Sequence, residues 1–440
     1  MRRAAAHRGE AAVLEGVKMS GNSRSGTARP SAEPVFILGG AQSDFARNWA
    51  RDHKGLFDMI SETTAAALDD ARIEATDVDV IHVGNFAAEL FCGQGLLGGM
   101  AVHAHPDFAG LPTSRHEAAC ASGSMAIFSA MADIESGRYG LAAVIGVEMM
   151  RNVPGQTAAE HLGSAAWAGR EALGARYLWP RMFSDTAEEY DRRYGLDPEH
   201  LAEISRTNFA NAKRNPNAQT RSWQFGESSF AQDDEANPVI EGRMRKSDCG
   251  QVTDGAAVIF LASEAVARDY AAERGLDLAD IPRIKGWGHT TAPLLFEAKL
   301  AESRGKDGYM FPWVRKAITD AYARAGIAGP QDLDLVETHD CFSITEYMAI
   351  EHFGLAAPGE AWKPVEEGVI TMNGSLPFNP SGGLIGLGHP VGATGVRMAL
   401  DAARQTTGKA GDYQVGGAKT AATYNVGGST TASACLVIGT

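Results

Sequence analysis

A chain of 440 residues, 44% hydrophobic and 21% charged, is long enough for two or three cores of an ordinary globular protein. A formal charge of −14 excludes a broad footprint on nucleic acid or an anionic membrane, though not a local basic patch, and no stretch is apolar enough to span a bilayer. Cys92, Cys120, Cys249, Cys341 and Cys435 are scattered, odd in number and without a Cys-x-x-Cys pair, so neither a disulfide framework nor a structural zinc site is expected, and a reducing, cytoplasmic setting fits.

Residues 1–33 are rich in Arg, Ala, Ser and Gly and are expected to be a disordered extension. Glu10 and Glu15 argue against a transit peptide, and Met19 serves equally well as a start. Order begins with an apolar strand at Val35–Gly40, followed by a helix over Met59–Ala71 and a strand over Val78–Asn85. An apolar run at mixed three- and four-residue spacing, Met125, Ile127, Phe128, Met131 and Ile134, predicts a buried helix opening at or just before Cys120. The strand Leu141–Glu148 follows. Residues 151–246 turn polar, with helical pieces expected over 187–193 and 198–212, and read as an insertion covering one face of the core.

From residue 280 the order of elements repeats. A strand at Pro282–Gly288, a helix at Val314–Ala325, a strand at Leu333–Asp340, a helix over Gly395–Arg404 and a closing hairpin ending at Gly439 copy the first half. The phrases Leu68–Ala75 and Ala321–Ala328 match in pattern. This is a duplicated α/β unit with mixed sheets and helices in layers, divided as 34–150 with 247–279, the inserted 151–246, and 280–440.

Four reactive positions fall at element ends. Cys120 sits among small residues where a helix N-terminus would favour its thiolate. His339 and Cys341, in His339-Asp340-Cys341-Phe342, directly follow a strand, and His389 lies in the glycine-lined loop Asn379–Gly395 that opens a helix. A further glycine pair, Gly427-Gly428, lies in the closing hairpin and could present an N–H donor. Taken singly, a buried cysteine is usually inert, a loop histidine solvated and a glycine stretch a turn. The loop fits neither the dinucleotide-binding fingerprint nor the lysine-containing phosphate loop. Two cysteines and two histidines together at the element ends of a duplicated fold point to chemistry.

In combination, Cys120-Ala121-Ser122-Gly123, Gly388-His389-Pro390, the Asn-x-x-Gly-Gly approach at Asn379–Gly383 and the duplicated order of elements resemble the thiolase superfamily, from about Val35 to Thr440. The His339–Phe342 motif is similar to that of the sterol-carrier-protein and archaeal thiolases, and Asn425 stands where the better-known thiolases carry their second cysteine. The resemblance implies two βαβαβαββ halves plus a CoA-binding loop insertion, in which Met182–Glu188 is closest to the family pattern. It implies a CoA-dependent C-acyltransferase that cleaves 3-ketoacyl-CoA with CoA, or condenses two acyl-CoAs, through an acyl-Cys120 intermediate. His389 would be the base, Cys341 the second acid–base, His339 and His389 the enolate donors, and the N–H groups of Cys120 and Gly427 the acyl-oxygen donors. CoA thioesters are expected as substrates, with no permanently bound cofactor and no metal.

A homodimer or homotetramer is also implied, with the Cys92 loop near the partner's active site; a small acyl-CoA-binding partner protein is left open. Cys249 and Cys435 are read as structural, and Ser247-Asp248-Cys249-Gly250 departs from the family's usual Ala-Ser-Gly stretch. The alternatives are an aldolase or other condensing enzyme of the same fold, and a non-catalytic acyl-CoA- or lipid-binding subunit.

Overall fold

The structure is a computed structural model that describes residues 33–304 and 308–440, so the expected N-terminal extension lies outside the described residues except for Glu33. Nine strands form one sheet: β1 Val35–Gln42, β2 Val80–Gly84, β3 Thr113–His116, β4 Leu141–Glu148, β7 Gly255–Ala262, β8 Arg283–Thr291, β9 Leu335–Thr338, β10 Thr420–Gly427 and β11 Ala432–Gly439. A separate two-stranded hairpin is made of β5 Val239–Glu241 and β6 Met244–Arg245. The order across the large sheet is β3-β2-β4-β7-β1-β8-β11-β10-β9.

Strand pairing makes the duplication explicit. In the first half β2 is parallel to β4, which is antiparallel to β7, which is antiparallel to β1. In the second half β9, β10, β11 and β8 repeat the same sequence of directions. The extra strand β3 has only a one-residue counterpart, the parallel bridge of Val336 to Phe378. The halves are expected as separate mixed sheets; instead two residue pairs, Val35 with Ile284 and Phe36 with Arg283, fuse them into one. Strand β7 and the helix Ser343–Phe353 are absent from the sequence reading. Both are buried along their whole length, so their patterns lack the polar alternation by which such elements are recognised.

Two helices, Ser122–Glu135 and Thr394–Thr406, share one apolar cluster with the sheet, in which Ala126, Ile127 and Met131 join Val396, Ala399 and Leu400. Their N-termini meet because glycine permits it. A Cβ at Gly123 would lie 2.7 Å from the Gly392 carbonyl oxygen, and one at Gly146 2.6 Å from the same atom. The loop bearing His389 therefore reaches the loop bearing Cys120.

The expected helical pieces between the halves are the helices Leu178–Tyr194 and Pro198–Ala212, the first longer than predicted. Met182, Phe183, Tyr190, Leu201 and Ile204 bury their side chains with Val314, Phe342, Tyr347 and Phe353, so this segment packs on the second half. No helix among the described residues is long and apolar enough to cross a membrane.

Candidate active site

The first helical turn is not where the periodicity puts it. The α-helix starts at Ser122, and Cys120 lies in a three-residue 3-10 turn, Ala119–Ala121, ahead of it. Ala119 has φ of 51°, a left-handed conformation unusual for a residue with a Cβ. The Ser122 hydroxyl holds this bend: it donates to the Ala119 carbonyl at 2.6 Å and accepts from the Ala118 N–H at 3.0 Å. The thiol is thus raised on a braced elbow, facing a cavity while protein surrounds it on the other sides.

The expected thiolate is corrected by the same surroundings. Burial pushes the Cys120 thiol up to about 12, against the opposing pull of the Gly428 N–H. A three-residue turn offers little dipole, and desolvation of the anion dominates. The resting nucleophile is a neutral thiol. Among the causes acting on the thiol, the Gly428 N–H lowers it; Gly427, expected to receive the acyl oxygen, packs its Cα on the Ala118 carbonyl, where an added Cβ would come within 2.1 Å of the oxygen.

His339 and His389 each bring one ring nitrogen, and Cys120 its sulfur, to within 4.8 Å of one another. Hydrogen bonding assigns the two rings opposite tautomers. His339 Nδ1 accepts from Asn425 Nδ2 at 3.0 Å and from the Val426 N–H at 3.3 Å, so its proton sits on Nε2. His389 Nδ1 lies 2.7 Å from Thr394 Oγ1, whose own proton goes to the Pro390 carbonyl at 3.0 Å. Nδ1 of His389 is therefore the N–H, and its Nε2 carries a free lone pair. Neither Nε2 has a protein partner among the described residues. Burial, helped by Arg397, presses His389 down to about 3; burial, then His389 and Arg397, holds His339 far below its usual range. Both rings are neutral at physiological pH.

Cys341 follows β9 and lines the same cavity, its carbonyl accepting from the Gly250 N–H at 2.8 Å. Burial raises this thiol well above normal, then Cys120 and Asp340, with the Thr345 hydroxyl and the Phe342 N–H opposing. The cavity, about 390 Å³, has walls of Phe86, Met150, Leu162, Trp179, Phe183 and Phe342, with Lys246 as its charged side chain. Cys120, Cys341, His389 and Gly428 open onto it; His339 and Gly427 do not. Phe183, from the Met182–Glu188 stretch, stacks on Phe342 with ring centres 4.5 Å apart. A neighbouring hollow of about 270 Å³, lined by Trp223 and Phe225, shares Lys246 and Gln251 with it.

The working roles of several residues are not legible in the sequence. Thr394 and Asn425 set the tautomers. Asp340 accepts from the Leu384 and Ile385 N–H groups at 2.5 and 3.1 Å, tying the His339–Phe342 loop to the turn before His389. Glu148, fully buried at the end of β4, gathers the N–H groups of Phe86, Ala87 and Gly392. Each depends on a partner dozens to hundreds of residues away or on an unobvious hydroxyl. Cys249, read as structural, also lines the cavity, with its thiol donating to the Arg245 carbonyl at 3.2 Å. Cys435 is buried in β11, and Cys92 shares an apolar cluster with Cys120. Cys120, His339 and His389 are also the only group among the described residues placed to hold a metal ion.

Comparisons with known proteins place the chain in a family. The profile of the thiolase N-terminal domain matches residues 35–265, and a thiolase C-terminal domain-like profile matches residues 301–440. An acetyl-CoA acetyltransferase of Methanothermobacter thermautotrophicus is 32% identical over 88% of this chain and 95% of its own length. Human sterol carrier protein 2 is 30% identical over 88% of this chain and 68% of its own. Among solved structures, an Ltp2-ChsH2(DUF35) aldolase superposes with TM-score 0.74 at 20% identity, covering 93% of this chain and 98% of that one. Human mitochondrial 3-ketoacyl-CoA thiolase superposes with TM-score 0.65 at 16% identity, covering 93% and 99%. With family profiles covering both halves and a relative 32% identical over most of its length, the chain belongs to the thiolase family.

Proposed function

We propose that the protein is a CoA-dependent C-acyltransferase that interconverts a 3-ketoacyl-CoA plus CoA with two acyl-CoAs through an acyl-Cys120 intermediate. The observation that carries this reading is the opposed pair of neutral histidines beside a half-buried thiol that opens onto the cavity. The Nε2 lone pair of His389 takes the Cys120 proton as the sulfur attacks the thioester, or the keto carbon in the cleavage direction, so no free thiolate has to persist in the buried site. The acyl oxygen is received by the N–H of Cys120 and by the Gly427–Gly428 turn. Cys341 then moves the proton to or from the α-carbon of the second acyl-CoA. His339, already an Nε2–H donor, faces the developing enolate oxygen directly or through a water, joined by His389 once it has taken a proton.

The segment 151–246 acts in this reading as the loop domain that admits CoA. Lys246 and Gln251, at the wall common to the two hollows, mark the passage for its arm. The substrates are CoA thioesters, the setting is cytoplasmic, and the working form is at least a dimer. The fold shared with an aldolase keeps a carbon–carbon lyase as the rival; retention of both Cys120 and Cys341 favours acyl transfer.

Intact mass after brief incubation with acetyl-CoA and longer acyl-CoAs tests the reading. An adduct of acyl mass, absent from Cys120→Ser and discharged by added CoA, is expected. Binding without any adduct would sink it and promote the acyl-CoA-binding-subunit alternative.

A further inference from the structure

Outside the reacting groups, one buried charged side chain reaches toward the site with no role assigned. Lys299, in the helix Phe296–Ser303, is 2% exposed, and its Nζ donates to the Ser429 carbonyl at 2.7 Å and to the Ser429 hydroxyl at 2.6 Å. Ser429 directly follows Gly428, which lines the cavity together with Cys120. The hairpin turn that carries these residues is strained. Gly428 and Thr430 both have φ of 65°, and a β-branched residue in the left-handed region persists only where its surroundings hold it. Thr430 is buried, and its hydroxyl has no partner among the described residues, so its own side chain supplies no brace.

The helix bearing Lys299 is itself pinned from the 151–246 segment. Glu171 accepts from the Phe296 N–H at 2.8 Å, at the start of that helix, and from the Trp167 N–H at 2.9 Å. Burial lowers the Lys299 amine to about 7, and the Glu171 carboxylate pulls it back up. Glu171 thus anchors the start of the helix that carries Lys299, and Lys299 in turn bonds Ser429, the neighbour of Gly428.

We infer that Lys299 is a positioning residue for acyl transfer: it clamps the strained Gly428–Thr431 turn so that the Gly428 N–H stays aimed at the Cys120 centre, and Glu171 couples that clamp to the 151–246 segment. This deepens the acyl-Cys120 reading and rests on it. A donor held in place by the fold costs no reorganisation when charge develops on the acyl oxygen, whereas a relaxed turn would lose that advantage. Thr430→Gly offers a specific handle, because glycine adopts the left-handed conformation without penalty and would keep the turn in shape without the clamp.

The test is single-turnover acylation of the full chain by acetyl-CoA, followed by intact mass, for wild type, K299M, S429A, T430G and K299M/T430G. Lys299→Met should slow acylation by about 10- to 100-fold, on the scale of impairing one oxyanion donor. The final labelled fraction and the acetyl-CoA concentration for half-maximal rate should stay within about threefold, because the binding groups are untouched. S429A, which keeps the carbonyl contact, should slow acylation less, T430G alone should not slow it, and K299M/T430G should recover most of the loss. K299M acylating at the wild-type rate, or a loss that T430G does not rescue, overturns the inference. If K299M does not fold, S429A at the wild-type rate does so. Failure of wild type to acylate at all would instead overturn the acyl-transfer reading, which keeps the two failures distinct.

Discussion

Replacing Thr394 with valine removes the hydroxyl 2.7 Å from His389 Nδ1 while keeping a side chain of similar shape. In the native site that hydroxyl accepts the Nδ1 proton because its own hydrogen is committed to the Pro390 carbonyl. Without it a buried N–H is left unpaired, which costs about 1–3 kcal/mol. The ring can escape that cost by moving its proton to Nε2, the nitrogen required as the base. Either way the productive tautomer loses about 1–3 kcal/mol relative to the other, equivalent to roughly 5- to 150-fold in the rate of Cys120 acylation at 1.36 kcal/mol per decade. The assay is rapid-quench acylation by acetyl-CoA, with Thr394→Ser as a control that keeps the hydroxyl. T394V within about twofold of wild type, or T394S slowed as much as T394V, would refute the tautomer argument.

Three further outcomes follow from the same geometry. Because burial and Arg397 hold His389 at about 3, the base stays deprotonated as pH falls through the ordinary imidazole range; the acid limb of acylation kcat/KM in the free enzyme should therefore lie below about pH 5, and a limb near the ordinary value of about 6.5 would contradict it. Cys341→Ala should leave acetyl exchange between acetyl-CoA and CoA within about threefold while slowing carbon–carbon bond formation by at least about 100-fold, the scale of a lost acid–base group, as read by isotope exchange beside acetoacetyl-CoA synthesis. Arg397, fully buried, lies 2.9 Å from Glu337 and 3.2 Å from Asp401. Arg397→Met should lower stability by about 3–5 kcal/mol in urea denaturation, since it strands buried carboxyls, and a change under about 1 kcal/mol would show that they neutralise without cost.

The short-range features of this protein are written into its sequence. The strand Leu141–Glu148 has the bounds that its apolar run predicts, and the helix Pro198–Ala212 matches the expected 198–212 because proline at its first position and a periodic apolar face are local signals. The doubled order of elements is likewise legible, since each copy repeats its own hydrophobic pattern, and the reactive types at 120, 339, 341 and 389 stand out by their place at element ends. Tertiary structure decided the rest. Two cross-strand pairs between β1 and β8 make one sheet of two, and nothing in either strand alone specifies the other as neighbour. Desolvation by the assembled fold pushes the Cys120 thiol up, an effect that outweighs the helix end the sequence displays. Asn425 bonds across the fold to His339, and Thr394, one turn along its own helix end, bonds to His389; which nitrogen of each ring holds the proton follows from those contacts. Local propensity acts through neighbours in the chain, whereas burial, tautomer and the aim of a backbone N–H depend on atoms that only folding brings within reach.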